Sequence, residues 1–276
     1  MKIASLQPSI SIVLERLGCL DLVAACTRYC VDAVPALRDR GVVVVHDSWS
    51  TTAEELLAVE PDLVIASVPY RQESLAAILK AGRPVLALAP HCLQDIENDI
   101  RLIAGATGQA EAADRAEAVI RAMREDIDGV REYCAGLGAR PLVYCEEWGK
   151  PLIASQRWVK ELVEVAGGVF LGEPGKTTTA EAVAEGDPAV VIAAWCGAGD
   201  RVPLEKVAAR PGWEAMRAVR DGRVYCIADE LLNTPAPTLV DGLRAIAAAL
   251  YPGEFGPAVG ATRGLRRLAL SRAESI

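Results

Sequence analysis

Short uninterrupted apolar runs alternate along the chain with stretches whose apolar residues recur at helical spacing. Residues 3–6 read as an opening strand. The helical run that follows carries Ile12, Val13, Leu14 and Leu17 and stops at Gly18, a residue suited to the left-handed end of a helix. Strands follow at 22–25, 42–45, 63–66 and 84–88, with helices at 54–59 and 74–80 between them. Strands that are apolar throughout, separated by helices, predict a parallel sheet covered on both faces.

Between Gln109 and Cys134 the pattern changes to a stretch without proline, rich in Ala, Glu and Arg, which predicts one helix of ~40 Å at 1.5 Å per residue. The alternation then resumes: strands at 142–145, 190–194 and 224–227, helices at 158–166, 213–219 and 239–250. The fold class is therefore α/β, with an N-terminal lobe at 1–107, a linking helix at 108–137 and a C-terminal lobe at 138–276. An internal echo supports the division. Residues 54–66 and 181–193 both read as a short helix, a proline and a buried strand.

Composition sharpens this picture by exclusion. With 51% hydrophobic residues and a net charge of −8, and with no basic run, the chain lacks a nucleic-acid footprint. No apolar stretch approaches the roughly 18 residues that a membrane span needs. The amino terminus has no apolar signal segment before Gln7-Pro8-Ser9, which places the chain in the cytoplasm as it stands; the alternative is a periplasmic or cell-surface protein whose leader was removed. The eight cysteines are scattered without a C-x2-C pair and read as reduced thiols. Residues 172–178 have the composition of a phosphate loop but are too short for a Walker motif, and no hydrolase elbow or H-E-x-x-H is present, so neither a nucleotide nor catalysis is indicated.

Ile3-Ala4-Ser5-Leu6-Gln7-Pro8-Ser9, then Leu17-Gly18 and Asp21-Leu22-Val23-Ala24, together with residues 54–66 and the long helix from Gln109, resemble the metal-chelate class of ABC-importer substrate-binding proteins. Thr27-Arg28-Tyr29-Cys30-Val31-Asp32 followed by Pro35 is similar to the cobalamin-binding branch of that class. The resemblance implies a monomer of two Rossmann-like lobes with parallel sheets, joined by one long rigid helix, that clamps a corrinoid or related metal chelate in a cleft between the lobes for transport or intracellular carriage. It also implies an ABC permease partner, docked through one glutamate per lobe; Glu55 and Glu181 match those positions.

Ligands of open α/β sheets sit beyond the carboxyl ends of strands. The residues there are Arg28, Tyr29, Cys30, Trp49, Tyr70, Arg71, His91 and Cys92 in the first lobe, and Glu146, Trp148, Arg157, Trp195, Cys196 and Asn233 in the second. Four of the five tryptophans of an aromatic-poor chain fall in such places, and flat indoles suit a flat macrocycle. Trp158 and Trp213 serve equally well as caps on the lobe interiors. By resemblance Trp49 occupies a cleft position, whereas a second cleft tryptophan of the cobalamin branch falls near Gly175 here, so the opposing wall must come from Trp148 or Trp195. His91 and Cys92 are candidate axial ligands to the cobalt of a corrinoid or to another metal. With two histidines in the chain, a bare zinc site is disfavoured. The competing reading is a cytoplasmic metal- or thiol-dependent enzyme or redox protein using the same Cys and His residues.

Overall fold

The computed structural model describes residues 1–46, 51–254 and 264–268. The chain divides into two compact units, Met1–Met123 with Pro235–Pro237, and Arg124–Thr234 with the residues from Thr238 on. The first unit runs β1 (Ile3–Ser5), α1 (Pro8–Arg16), β2 (Val23–Thr27), α2 (Arg28–Ala33), β3 (Val43–Val45), α3 (Ala53–Leu57), β4 (Leu63–Ser67), α4 (Gln72–Lys80), β5 (Val85–Leu88) and α5 (Leu93–Thr107). Its five strands are all parallel in the order β3-β2-β1-β4-β5. Hydrophobicity follows position in the sheet. Ile3, Ala4, Val64, Ile65 and Ala66 on the central strands are buried, while Val43 and Val44 on the edge strand β3 are 48% and 53% exposed.

The helix α6 (Ala112–Ala135) is 24 residues long, ~36 Å, and the division between the units falls within it. Among the described residues no helix is long and apolar enough to cross a membrane.

The second unit runs β6 (Leu142–Gly149), β7 (Leu152–Ala154), α7 (Arg157–Val165), β8 (Val169–Phe170), β9 (Thr177–Thr178), α8 (Ala180–Gly186), β10 (Val190–Ala193), α9 (Leu204–Ala208), α10 (Arg217–Arg220), β11 (Val224–Ile227), α11 (Asp229–Leu232), α12 (Leu239–Leu250) and β12 (Leu265–Arg267). Its sheet is mixed: β11, β10, β6 and β8 are parallel, and β12, β7 and β9 add antiparallel pairings. The helices differ from the expectation. The helix expected at 213–219 is reduced to α10, because Met216 has extended backbone and Trp213 is a fully buried anchor whose indole N–H donates to the Ala180 carbonyl at 3.0 Å. The helix α5 was not anticipated, although Ile96, Ile100, Ile103 and Ala104 form one buried stripe at helical spacing.

The sequence echo is also a structural one. In α3–β4 and in α8–β10 a threonine caps the helix, Thr52 accepting from the Glu55 N–H and Thr179 from the Ala182 N–H. The residue before each proline then has left-handed backbone, Glu60 at φ 51° and Asp187 at φ 42°. Each segment delivers a strand beside the first strand of its unit, β4 next to β1 and β10 next to β6.

The approach of α12 to α11 depends on Gly242, where a Cβ would fall against the Leu231 carbonyl oxygen and within 2.8 Å of a Leu232 methyl. Gly242→Ala is expected to destabilise the fold by about 1–3 kcal/mol, read as a lower midpoint in urea with an unchanged slope; an unchanged midpoint would show that α12 is free to shift.

Candidate functional site

Among the parallel strands of each sheet the order reverses at one place, between β1 and β4 in the first unit and between β6 and β10 in the second. Crossovers leave such a point in opposite directions, so a crevice opens beyond the carboxyl ends of the two strands. In the second unit the parallel ladder closes at the pair Glu146 and Ala193. Beyond it β6 continues into a hairpin with β7, and a register shift between Glu146 and Trp148 turns the strand. Trp148 and Trp195 therefore emerge on either side of the switch point.

A buried carboxylate fixes this region. Glu146 is fully buried, yet both of its oxygens are used: Arg210 donates to them at 2.6 and 2.8 Å, and the Trp195 indole N–H donates at 2.7 Å. The Arg210 guanidinium stacks over the Trp213 ring at 4.6 Å, and Tyr144 meets the same ring edge-on at 6.2 Å. Gly149 completes the arrangement, since a Cβ there would lie 2.6 Å from the Trp195 ring. The Trp148 indole N–H donates to the Lys150 carbonyl at 2.8 Å, leaving that ring 44% exposed.

Trp148, Gly149, Lys150, Trp195 and Arg210 line a cavity of about 680 Å³ together with Lys206 of α9 and with Pro203, Ala209 and Pro211. Its walls are indole and proline; its charged groups are Lys150, Lys206 and Arg210. Of the residues expected from the sequence, Trp148 and Trp195 line this cavity. Glu146 does not: it is the brace beneath it, which corrects the expectation that it faces a ligand. Lys150, Lys206 and Arg210 were missed because two of them lie on or beside α9, far along the chain from any parallel strand end, and the third sits in a hairpin turn.

The neighbouring strand-end residues form a second, polar group. The Asn233 amide donates to the Ala194 carbonyl at 2.6 Å and to Cys196 Sγ at 3.4 Å, and Asp229 holds the loop by accepting from the Gly197 and Gly199 N–H groups at 2.7 and 2.9 Å. The Cys196 thiol is pushed up to about 12, first by loss of solvent around the sulfur and then by the charges of Glu147 and Asp229. At neutral pH it rests as the thiol. Arg157 is exposed at the start of α7 and pairs with Glu161 at 3.2 Å.

In the first unit Arg28 and Tyr29 open α2 directly after β2, with the guanidinium 4.6 Å over the phenol ring and donating to its hydroxyl at 2.7 Å. Cys30 is not available to a ligand: it is fully buried, with Sγ 3.6 Å from the Ser5 carbonyl and 3.2 Å from Thr27 Oγ1. Tyr70 is half-buried against the core of this unit and Arg71 is exposed ahead of α4. Gln7, after β1, donates to the Pro69 carbonyl after β4 at 3.0 Å and so bridges the switch point. His91 and Cys92 follow β5, where Asp95 accepts from both backbone N–H groups at 2.8 and 3.2 Å. Among the described residues no three His, Cys, Asp or Glu side chains come together as a metal site. Trp49 lies outside the described residues.

The two glutamates expected to dock a permease differ in environment. Glu181 is exposed at the second position of α8. Glu55 is the third residue of α3 and accepts from the His46 backbone N–H at 3.1 Å and from its ring at 2.9 Å. Burial raises the Glu55 carboxyl, but the hydrogen bonds from His46 outweigh it and hold the group below its ordinary value. By position after the capping threonine, the counterpart of Glu181 is the exposed Glu54.

Removing the brace has a large expected cost. Glu146→Ala leaves the Arg210 guanidinium, 14% exposed, without its partner, and should lower unfolding free energy by about 3–5 kcal/mol, measured by chemical denaturation. A loss below about 1 kcal/mol would show that the pair is not what holds Arg210. Cys196, though exposed, should be alkylated by iodoacetamide at pH 7.5 at least about tenfold more slowly than a free thiol, followed by mass spectrometry of its peptide; ordinary reactivity would contradict the raised thiol.

Residues 3–231 match the model of a family described as periplasmic binding protein. The chain is 25% identical over 266 residues to the uncharacterized ABC transporter substrate-binding lipoprotein YvrC of Bacillus subtilis (strain 168), covering 92% of this chain and 81% of that one. It is 23% identical to a cobalamin-binding protein of Halobacterium salinarum (strain ATCC 29341 / DSM 671 / R1), covering 91% of this chain and 69% of that one. Among solved structures, the periplasmic heme-binding protein RhuT from Roseiflexus sp. RS-1 in apo form is similar with a TM-score of 0.78 at 23% identity, over 91% of this chain and 97% of that one. These relatives are binding proteins, not enzymes. With two α/β units, a parallel switch point in each and a family match over most of its length, the chain belongs to the periplasmic binding protein family of ABC-importer substrate-binding proteins.

Proposed function

We propose that the chain binds a flat metal chelate, a corrinoid or a related tetrapyrrole, and delivers it to an ABC permease. The observation that carries this reading is the pair Trp148 and Trp195 on a cavity of about 680 Å³ at the β6–β10 switch point. Two indoles, one locked by Glu146 and one by the Lys150 carbonyl, offer apolar faces at little cost in side-chain entropy. The cobalamin-binding and heme-binding relatives support a tetrapyrrole over a bare ion.

The relatives named as lipoprotein and as periplasmic support work outside the cytoplasmic membrane, in place of the cytoplasmic location expected from the amino terminus. For the permease we assign Glu54 and Glu181 as the paired carboxylates, because they share the second position of equivalent helices while Glu55 is engaged by His46. Exposed carboxylates form charge-assisted pairs with arginine.

The test is titration of the purified chain with hydroxocobalamin and, separately, with iron(III) protoporphyrin IX, read by tryptophan quenching and by shifts of the visible bands. At least one should bind, and Trp195→Ala should weaken it by about tenfold, which corresponds to ~1.4 kcal/mol. If neither macrocycle changes emission or absorbance, the reading is wrong.

A further inference from the structure

The cavity beside Trp148 and Trp195 carries a charge pattern that a neutral ligand does not need. Three cationic side chains line it, Lys150, Lys206 and Arg210, and no carboxylate does. Arg210 is neutralised, since Glu146 takes two of its N–H groups from beneath. Lys150 and Lys206 are different: both are exposed, and among the described residues neither ammonium is paired with a carboxylate. In a chain with 37 acidic and 29 basic residues, a pocket rim with two unmatched positive charges runs against the average. Each lysine follows apolar lining in the chain, Lys150 directly after Trp148 and Gly149 at the end of β6 and Lys206 on α9 three residues after Pro203. A lysine at the edge of an apolar pocket can lay its stem along the wall and offer its charged head to an anion at the rim.

We infer that Lys150 and Lys206 are specificity-determining residues that select macrocycles whose edge carries carboxylates over those whose edge is amide or ester. The inference rests on the proposed function, because it assigns the chemistry of the rim of the same cavity. The indoles take the ring face, which every flat tetrapyrrole offers, and so do not discriminate among them. The two ammonium groups take the periphery, where carboxylated and amidated rings differ by full negative charges. A carboxylate near an unpaired ammonium gains a charge-assisted hydrogen bond, whereas an amide there gains an ordinary one and leaves the positive charges unmatched.

The experiment compares matched pairs on the unmodified protein: iron(III) protoporphyrin IX against its dimethyl ester, and dicyanocobyrinic acid, with a carboxylate periphery, against dicyanocobinamide, with an amide one. Within at least one ring family the acid should bind about tenfold or more tightly than its neutral partner, and the gap should shrink at 0.5 M salt, where screening acts over a few ångströms. In the double variant Lys150→Gln with Lys206→Gln the acid should weaken to the level of the neutral partner, while the urea midpoint of the variant should match that of the unmodified protein. The midpoint separates loss of charge from loss of fold. Equal binding of acid and neutral forms, or a gap that survives in the double variant, overturns the assignment while leaving the proposed function intact. Failure of all four rings to bind overturns both.

Discussion

A carboxylate withdrawn entirely from water is tolerable only when its charge and its lone pairs are met in place. Glu146 is such a group, and the second unit is organised around how it is met. Arg210 closes on it from the segment after α9, and the Trp195 indole closes on it from the loop after β10. The cost of burying one charge is offset by fixing two pieces of chain that are distant in sequence. The guanidinium, held in plane by the carboxylate, stacks on Trp213, and Trp213 reaches the start of α8 through its N–H. The wall of the cavity is therefore set by an electrostatic requirement of the interior.

The same local solution appears in both units. A capped short helix, a left-handed residue, a proline and a buried strand bring β4 beside β1 and β10 beside β6. Non-glycine residues seldom adopt that backbone, so its recurrence at Glu60 and Asp187 is more specific than the helix and strand themselves. It places the reversal of strand order at the same step of each unit, and with it the carboxyl-end loops that carry functional side chains in this architecture.

The fold was largely legible in the sequence. Central strands buried on both faces leave unbroken apolar runs, as at 63–66 and 190–193, and these were read correctly along with the helix α12. The short strands β7, β8, β9 and β12 were not, because two or three residues are too few to show a period. At the site, the strand-end rule found Trp148 and Trp195 because tryptophan in a loop has no evident packing role. It could not separate Glu146, which faces inward, from its neighbours, since a carboxylate at a strand end looks alike whether braced or free. Cys30 illustrates the same limit: nothing local says that its sulfur turns back toward Ser5. Arg210 was out of reach, because its partner lies 64 residues away in sequence.

The Gly149 contact leads to one more conclusion. With no side chain there, the indole of Trp195 rests directly on the main chain, so any larger residue at 149 would displace the wall itself, whereas the exposed rim can change without moving it. A change of charge at Lys150 or Lys206 would alter what the rim attracts and leave that contact in place.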